Sequence, residues 1–129
     1  MEFPLCSNDD EESRREEAVG LVFANLAQEC GRCAEQHGFY GKSPGEDIAL
    51  FHSEISEALE EFRNGRPLND TYYNPEAPTK PEGVPTELAD VFIRILAFAY
   101  EHHIDLGKAV LEKMAYNESR PFRHGGKKL

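Results

Sequence analysis

The segment TELADVFIRILAFAY, from Thr86 to Tyr100, constrains the fold of this chain most, because at helical spacing it is apolar nearly all round. A helix of this kind must be buried on several sides. One wide face holds Leu88, Val91, Phe92, Ile95, Leu96 and Ala99, and Ile93, Ala97, Phe98 and Tyr100 make up most of another. A chain of 129 residues has few elements to cover both faces. We therefore expect a homo-oligomer, either a dimer or a tetramer; the alternative is that the first helix and a long loop of the same chain cover the second face.

Three more helices are predicted from apolar stripes and from residues that favour helix ends. Ser43 is a good N-cap, Pro44 suits the first helical position, and Glu46 completes a capping box. Gly38 is placed to end the helix before it. The four predicted helices run from about Arg14 to His37, from Pro44 to about Arg63, from Pro85 or Thr86 to about His102, and from the N-cap Asp105 to just before Pro121.

The connection from Gly65 to Thr86 is rich in proline, with five prolines and two glycines in 22 residues. We expect most of it to lack regular structure, and a loop of this length in a compact domain is more often functional than idle. With no alternating strand pattern, the predicted fold is all-α, a four-helix bundle with one long proline-rich loop. The predicted regions are a disordered acidic lead-in (1–13), a helical domain (14–120) and a basic tail (121–129).

The formal net charge of −10 argues against the basic surface that nucleic acids and anionic membranes require. An anionic ligand would need a recruited cation, and a bound metal ion is the obvious one. No stretch approaches the roughly 20 apolar residues of a membrane span, and the N-terminus has no basic start followed by an apolar run. Three cysteines without a scaffold pattern fit a reducing compartment. We expect a soluble cytoplasmic protein.

Four carboxylates interrupt the apolar helices in two pairs, Glu54 with Glu57 and Glu87 with Asp90. Residues three apart on a helix lie on the same side, with Cβ atoms roughly 5–6 Å apart. If the two helices pack antiparallel, the pairs converge and repel one another unless divalent cations lie among them. Oxygen ligands favour Mg²⁺, or Mn²⁺, over zinc. The alternative is two charged, solvated helix faces.

The stretches SEISEALEEFR, ELADVFIRIL and KMAYNESRPFRHGGKKL resemble the MazG-like all-α nucleoside triphosphate pyrophosphohydrolases, over roughly residues 17 to 129. The family pattern is Glu-Glu-x-x-Glu, a variable spacer, then Glu-x-x-Asp. Here Ser53 stands at the first position, as in several relatives of the dCTP-hydrolysing type. The spacer between Glu57 and Glu87 has 29 residues, which is long because of the proline-rich connection.

The resemblance implies Mg²⁺-dependent hydrolysis of a (deoxy)nucleoside triphosphate to the monophosphate and pyrophosphate. The implied metal ligands are Glu54, Glu57, Glu87 and Asp90, and Glu54 or Glu57 is the catalytic group that orients or deprotonates the attacking water. A further family pattern, Lys-x-x-x-Asn-x-x-Arg, falls on one face of the fourth helix and implies phosphate contacts by Lys113, Asn117 and Arg120. The alternative for these three is a surface helix making local contacts.

Several other residues have two open interpretations. Phe39, Tyr40, Tyr72 and Tyr73 are candidates for stacking on the base, or else packing residues. The tail residues Arg123, His124, Lys127 and Lys128 either close over the phosphates or stay solvated. Arg94 is expected to pair with an acid.

The pair Cys30 and Cys33, with His37 four residues on, is interpreted as ordinary thiols because no second cysteine pair completes a zinc site. His102 and His103 are interpreted as a helix C-terminus. Two alternative functions remain open: a related activity on dUTP or a modified nucleotide, and a catalytically silent helical module that binds nucleotide or scaffolds a partner.

Overall fold

The computed structural model describes residues 8–126 and 128, with the side chain of His124 excepted, and it is mainly helical, as predicted. The elements are α1 (Asn8–Gln36), α2 (Pro44–Arg63), β1 (Tyr72–Asn74), β2 (Ala77–Glu82), α3 (Val84–Glu101), α4 (Leu106–Ser119) and a single turn, α5 (Arg123–Gly126). No helix among these residues combines the length and the apolarity needed to cross a membrane.

The predicted caps of two helices are confirmed. The Ser43 side chain accepts a hydrogen bond from the backbone N–H of Glu46, while the Glu46 carboxylate accepts one from the backbone N–H of Ser43. At the start of α4, Asp105 Oδ1 accepts a hydrogen bond from the backbone N–H of Lys108 at 3.1 Å. Each cap satisfies amide groups that have no partner inside the helix, so both helices begin where the sequence predicts.

The start of α1 differs from the prediction, because this helix begins at Asn8 and not near Arg14. Residues 8–13, assigned to a disordered lead-in, are therefore helical; residues 1–7 of that lead-in lie outside the described residues. Three acidic residues in the first turn, Asp9, Asp10 and Glu11, suit the positive end of the helix dipole.

The proline-rich connection is not a structureless loop, since β1 and β2 form an antiparallel hairpin. Tyr72 pairs with Glu82 and Tyr73 with Pro81, after which the register shifts. In a two-stranded sheet each strand is an edge, and an edge tolerates proline, which lacks the N–H that a central strand must donate. The hairpin leads directly into α3 at Gly83, where φ is 121° and a Cβ atom would overlap the Asp70 carbonyl oxygen.

The central element is α3, which packs against both α1 and α2, while α4 packs on α1. α1 approaches α3 closely at Gly31, where a Cβ atom would overlap the ring of Tyr100. Among the described residues the buried apolar side chains are Ala58, Val84, Leu96 and Ala99. This is a small core for the chain, and α3 supplies most of it.

Large apolar side chains remain exposed on each long helix. On α2, Leu59 and Phe62 are 55% and 57% exposed, and on α3, Phe92 and Ile93 are 43% and 46% exposed. The first helix therefore covers only part of the apolar surface of α3.

Candidate metal centre and adjoining pocket

Side-chain contacts between α2 and α3 run in opposite directions along the two helices. Phe51 meets Phe98 edge to face, with ring centroids 5.5 Å apart. One turn later on α2, Glu54 pairs with Arg94, which is one turn earlier on α3. The helices are thus antiparallel, the arrangement that brings their acidic pairs together.

Three of the four predicted ligands converge. Glu54, Glu87 and Asp90 each offer an oxygen, and these atoms all lie within 4.8 Å of one another. The fourth predicted ligand, Glu57, is exposed and contributes no atom to this group. Its side chain instead shares a hydrogen bond with Glu87, at the edge of the group. We refer to Glu54, Glu87 and Asp90 as the acid group.

Glu87 is the buried member of the acid group, and its pKa is raised from 4.5 to about 7. Burial is the main cause, followed by the hydrogen bond with Glu57 and the negative charges of Glu57, Asp90 and Glu61. Burial and the neighbouring negative charges thus both disfavour the ionised form of Glu87. An all-oxygen donor set in which one carboxyl is reluctant to ionise fits a hard divalent cation such as Mg²⁺.

Arg94 supplies a cation beside the acid group. Its Nε atom lies 2.6 Å from Oε1 of Glu54, whose side chain is 13% exposed. The expectation that Arg94 pairs with an acid is confirmed. This ion pair restricts the orientation of Glu54, since a guanidinium fork binds a carboxylate with defined geometry.

The hairpin is attached to α2 through Tyr72. The Tyr72 hydroxyl donates to the carboxylate of Glu61, with both oxygens at 2.9 Å, and the Arg66 guanidinium lies 3.5 Å from the Tyr72 ring centre. The hydroxyl of Tyr72 is thus already bonded to Glu61 on α2, and the Tyr73 side chain is 57% exposed. Neither of these described residues lines the pocket beside the acid group, so the structure does not bring them to a base-stacking position.

That pocket has a volume of about 300 Å³ and is bounded by α1, the α1–α2 connection, α2 and α3. Glu54, Asp90 and Arg94 form one part of its wall, and the predicted stacking residues Phe39 and Tyr40 form another. The structure therefore places these two aromatic residues beside the acid group.

The sequence reasoning missed Asp47 and Glu101, which also line the pocket. With His102 they form a second group whose ligand-type atoms lie within 4.8 Å of one another. A signal was available, because residues 47, 51 and 54 share one face of α2 at helical spacing. Two polar atoms beside these acids, Tyr40 Oη and His102 Nε2, are buried and make no hydrogen bond within the described part of the chain.

His102 is the C-cap of α3, as the sequence predicted, and its ring lies 4.5 Å from that of Phe98. Cys30 and Cys33 are free thiols that line the same pocket. His37 Nδ1 donates to the Cys33 carbonyl oxygen at 2.8 Å and lies 3.8 Å from its sulfur. Neither thiol belongs to a metal-type group among the described residues.

The predicted phosphate contacts lie elsewhere. Lys113 and Arg120 flank the Tyr116 ring on α4, at 4.9 and 5.5 Å from its centre, and Asn117 is exposed. None of these three described residues lines the pocket, so one subunit does not join them to the acid group. In the tail, Arg123 lies over Phe122; Lys127 and the side chain of His124 are outside the described residues.

Family models, curated proteins and solved structures give no match to this chain.

Proposed function

We propose that this protein is a Mg²⁺-dependent nucleoside triphosphate pyrophosphohydrolase of MazG-like type, which splits a (deoxy)nucleoside triphosphate into the monophosphate and pyrophosphate. One observation carries the proposal: carboxylates from two antiparallel helices meet within 4.8 Å at the wall of a pocket that also has aromatic walls. The spacing of these acids in the sequence is the one that resembles the family pattern.

In this proposal Glu54, Glu87 and Asp90 hold the Mg²⁺, which supplies positive charge to the phosphate oxygens when bound. Arg94 orients Glu54 through the 2.6 Å ion pair. Because Glu54 is already engaged, Glu57 is the better candidate to accept the proton of the attacking water; it is exposed and lies at the edge of the acid group. Phe39 and Tyr40 contact the nucleoside.

We also propose a homo-oligomer, a dimer or a tetramer, in a cytoplasmic setting. The small core and the many exposed large apolar side chains of α2 and α3 support assembly, since a second copy that covered them would bury apolar surface. Lys113, Asn117 and Arg120 remain the proposed phosphate contacts. Lys113 and Asn117 are exposed on α4, and Arg120 is half-buried at the C-cap of that helix, so the polyphosphate that they would contact belongs to the same or a neighbouring subunit.

A second candidate function is a helical module that binds nucleotide or a partner without catalysis. Two observations favour it: Ser53 replaces the first acid of the family pattern, and Arg94 already neutralises Glu54 in the absence of metal. In this case the acid group would be structural.

The test is pyrophosphate release from a panel of canonical and modified nucleoside triphosphates, with Mg²⁺ and with EDTA. The Glu54→Gln/Asp90→Asn double variant should lose activity, while Glu60→Gln/Glu118→Gln, which removes two exposed acids, should keep it. Release that needs Mg²⁺ and the acid group supports hydrolysis. No release from folded protein across the panel would support the non-catalytic module.

A further inference from the structure

Two free thiols lie one turn apart on α1, at the wall of the pocket. Cys33 is exposed and Cys30 is half-buried, and both line the pocket that the acid group also borders. Side chains three residues apart share one side of a helix. The pKa of Cys30 is raised by burial first and then by the neighbouring Cys33, as expected of two sulfur atoms on the same side. A small molecule at the pocket can therefore reach both thiols.

The helical backbone places these two residues within reach of a disulfide bond. In an α-helix, Cα atoms three residues apart are separated by about 5 Å, which lies within the range of about 4.4–6.8 Å found in disulfides. Their Cβ atoms, roughly 5–6 Å apart, must approach each other by about 1–2 Å to reach the usual disulfide separation. Closing the bond therefore distorts this turn of α1.

The distortion falls on a turn that contacts α3. Gly31, between the two cysteines, is buried, and a Cβ atom there would overlap the ring of Tyr100. A glycine backbone adapts readily because it lacks a Cβ atom, but there is no free space at Gly31 for the turn to move into without shifting the Tyr100 ring. Closing the bond thus perturbs the contact between α1 and α3 next to the pocket.

We propose that Cys30 and Cys33 are a redox-sensitive pair: glutathione disulfide joins them in a disulfide bond within α1, and this bond loosens the contact of α1 with α3 beside the pocket. The exposed Cys33 thiolate attacks one sulfur of glutathione disulfide and releases one glutathione. The Cys30 thiolate then attacks the Cys33 sulfur and displaces the second glutathione. Two electrons pass from the protein sulfurs to glutathione disulfide, and the two thiol protons end on the released glutathione molecules. The pair does not depend on the proposed hydrolysis.

The experiment uses the full chain with Cys6→Ser, because Cys6 lies outside the described residues and offers a third thiol. Arg32 separates the two cysteines, so trypsin cuts between them and yields the peptides 16–32 and 33–42. After treatment with glutathione disulfide and alkylation of the remaining thiols, mass spectrometry should find these peptides joined, and dithiothreitol should separate them. Excess reduced glutathione should also separate them, because strain makes a disulfide easier to reduce.

Thermal melting and the near-ultraviolet circular dichroism of tyrosine test the structural effect. Oxidised protein should melt about 2–5 °C below reduced protein, since so short a loop gains little from a cross-link and the distortion costs stability. In the same background, Cys33→Ser should give neither joined peptides nor a shift, and Cys30→Ser should stop at a mixed disulfide of Cys33 with glutathione.

Three results would overturn the redox pair: no joined peptides from folded protein, a disulfide between two chains in their place, or a mixed disulfide that persists on Cys33 while Cys30 is present. Joined peptides with unchanged melting and unchanged circular dichroism would overturn the proposed effect on the contact between α1 and α3.

Discussion

Replacing Glu87 by glutamine removes a carboxyl group that the fold makes difficult to ionise. In the folded protein its pKa is about 7, against 4.5 ordinarily. Between these values the folded state binds more protons than the unfolded state, so the free energy of unfolding falls as pH rises. The contribution of Glu87 to the free energy of unfolding is therefore largest below about pH 4.5, and it is lost as pH rises through 7.

The size of the effect follows from the same values. One pKa unit corresponds to about 1.4 kcal/mol, which sets a ceiling of about 3 kcal/mol for Glu87. Because Glu57 and Asp90 share the repulsion and the acid group adjoins an open pocket, we expect about 1–2 kcal/mol. In a chain of this size that corresponds to about 3–7 °C in the melting temperature.

The assay is thermal unfolding followed by circular dichroism at pH 5.5 and pH 8.5, with EDTA. At pH 8.5, Glu87→Gln should have a higher melting temperature than wild type. Its melting temperature should also fall less between pH 5.5 and pH 8.5, while the exposed-site control Glu60→Gln should follow wild type. If the acid group is the proposed Mg²⁺ site, saturating Mg²⁺ should then stabilise wild type more than Glu87→Gln, because the variant lacks one of the three carboxylates. Glu87→Gln melting below wild type at pH 8.5 in EDTA would refute this reasoning.

Three further predictions concern contacts around the site. Arg94→Gln should destabilise the protein by about 1 kcal/mol in EDTA, because an acid of the group loses its ion pair, and Mg²⁺ should restore part of the loss; equal losses with and without Mg²⁺ would contradict this. Gly31→Ala should cost about 1–3 kcal/mol in urea unfolding, since its Cβ overlaps the Tyr100 ring, whereas Gly20→Ala, with open space around its Cβ, should gain about 0.5–1 kcal/mol. Tyr72→Phe should cost about 1 kcal/mol and raise hydrogen exchange in the hairpin; unchanged exchange would show that the α2 contact does not hold it.

The sequence predicts those features that depend on local chemistry. The capping box at Ser43 predicts the start of α2, and the three-residue spacing of the acidic pairs predicts that they face each other once the helices pack antiparallel. The start of α1 was missed because residues 8–13 carry no apolar stripe, although Glu11 and Glu12 favour a helix. The hairpin was missed because its prolines oppose a central strand but not an edge.

The second group of the pocket, Asp47 with Glu101 and His102, is a tertiary feature that spacing along a single helix does not predict. Asp47 lies in the first turn of α2, where an acid also suits the helix dipole, and Glu101 is the last residue of α3. Only the antiparallel packing brings these two helix ends together. The proposed phosphate contacts of Lys113, Asn117 and Arg120 depend in turn on the proposed assembly of subunits, which no spacing within one chain specifies.

The small buried core has a consequence for how this protein behaves on dilution. If neighbouring copies cover the exposed apolar side chains of α2 and α3, unfolding and dissociation become one equilibrium governed by mass action. The melting temperature then rises with protein concentration, and a measurement at nanomolar protein reports on a different population from a melt at micromolar protein. The proposed activity, per mole of protein, should fall below a threshold concentration, and a ligand that binds the assembled form should lower that threshold.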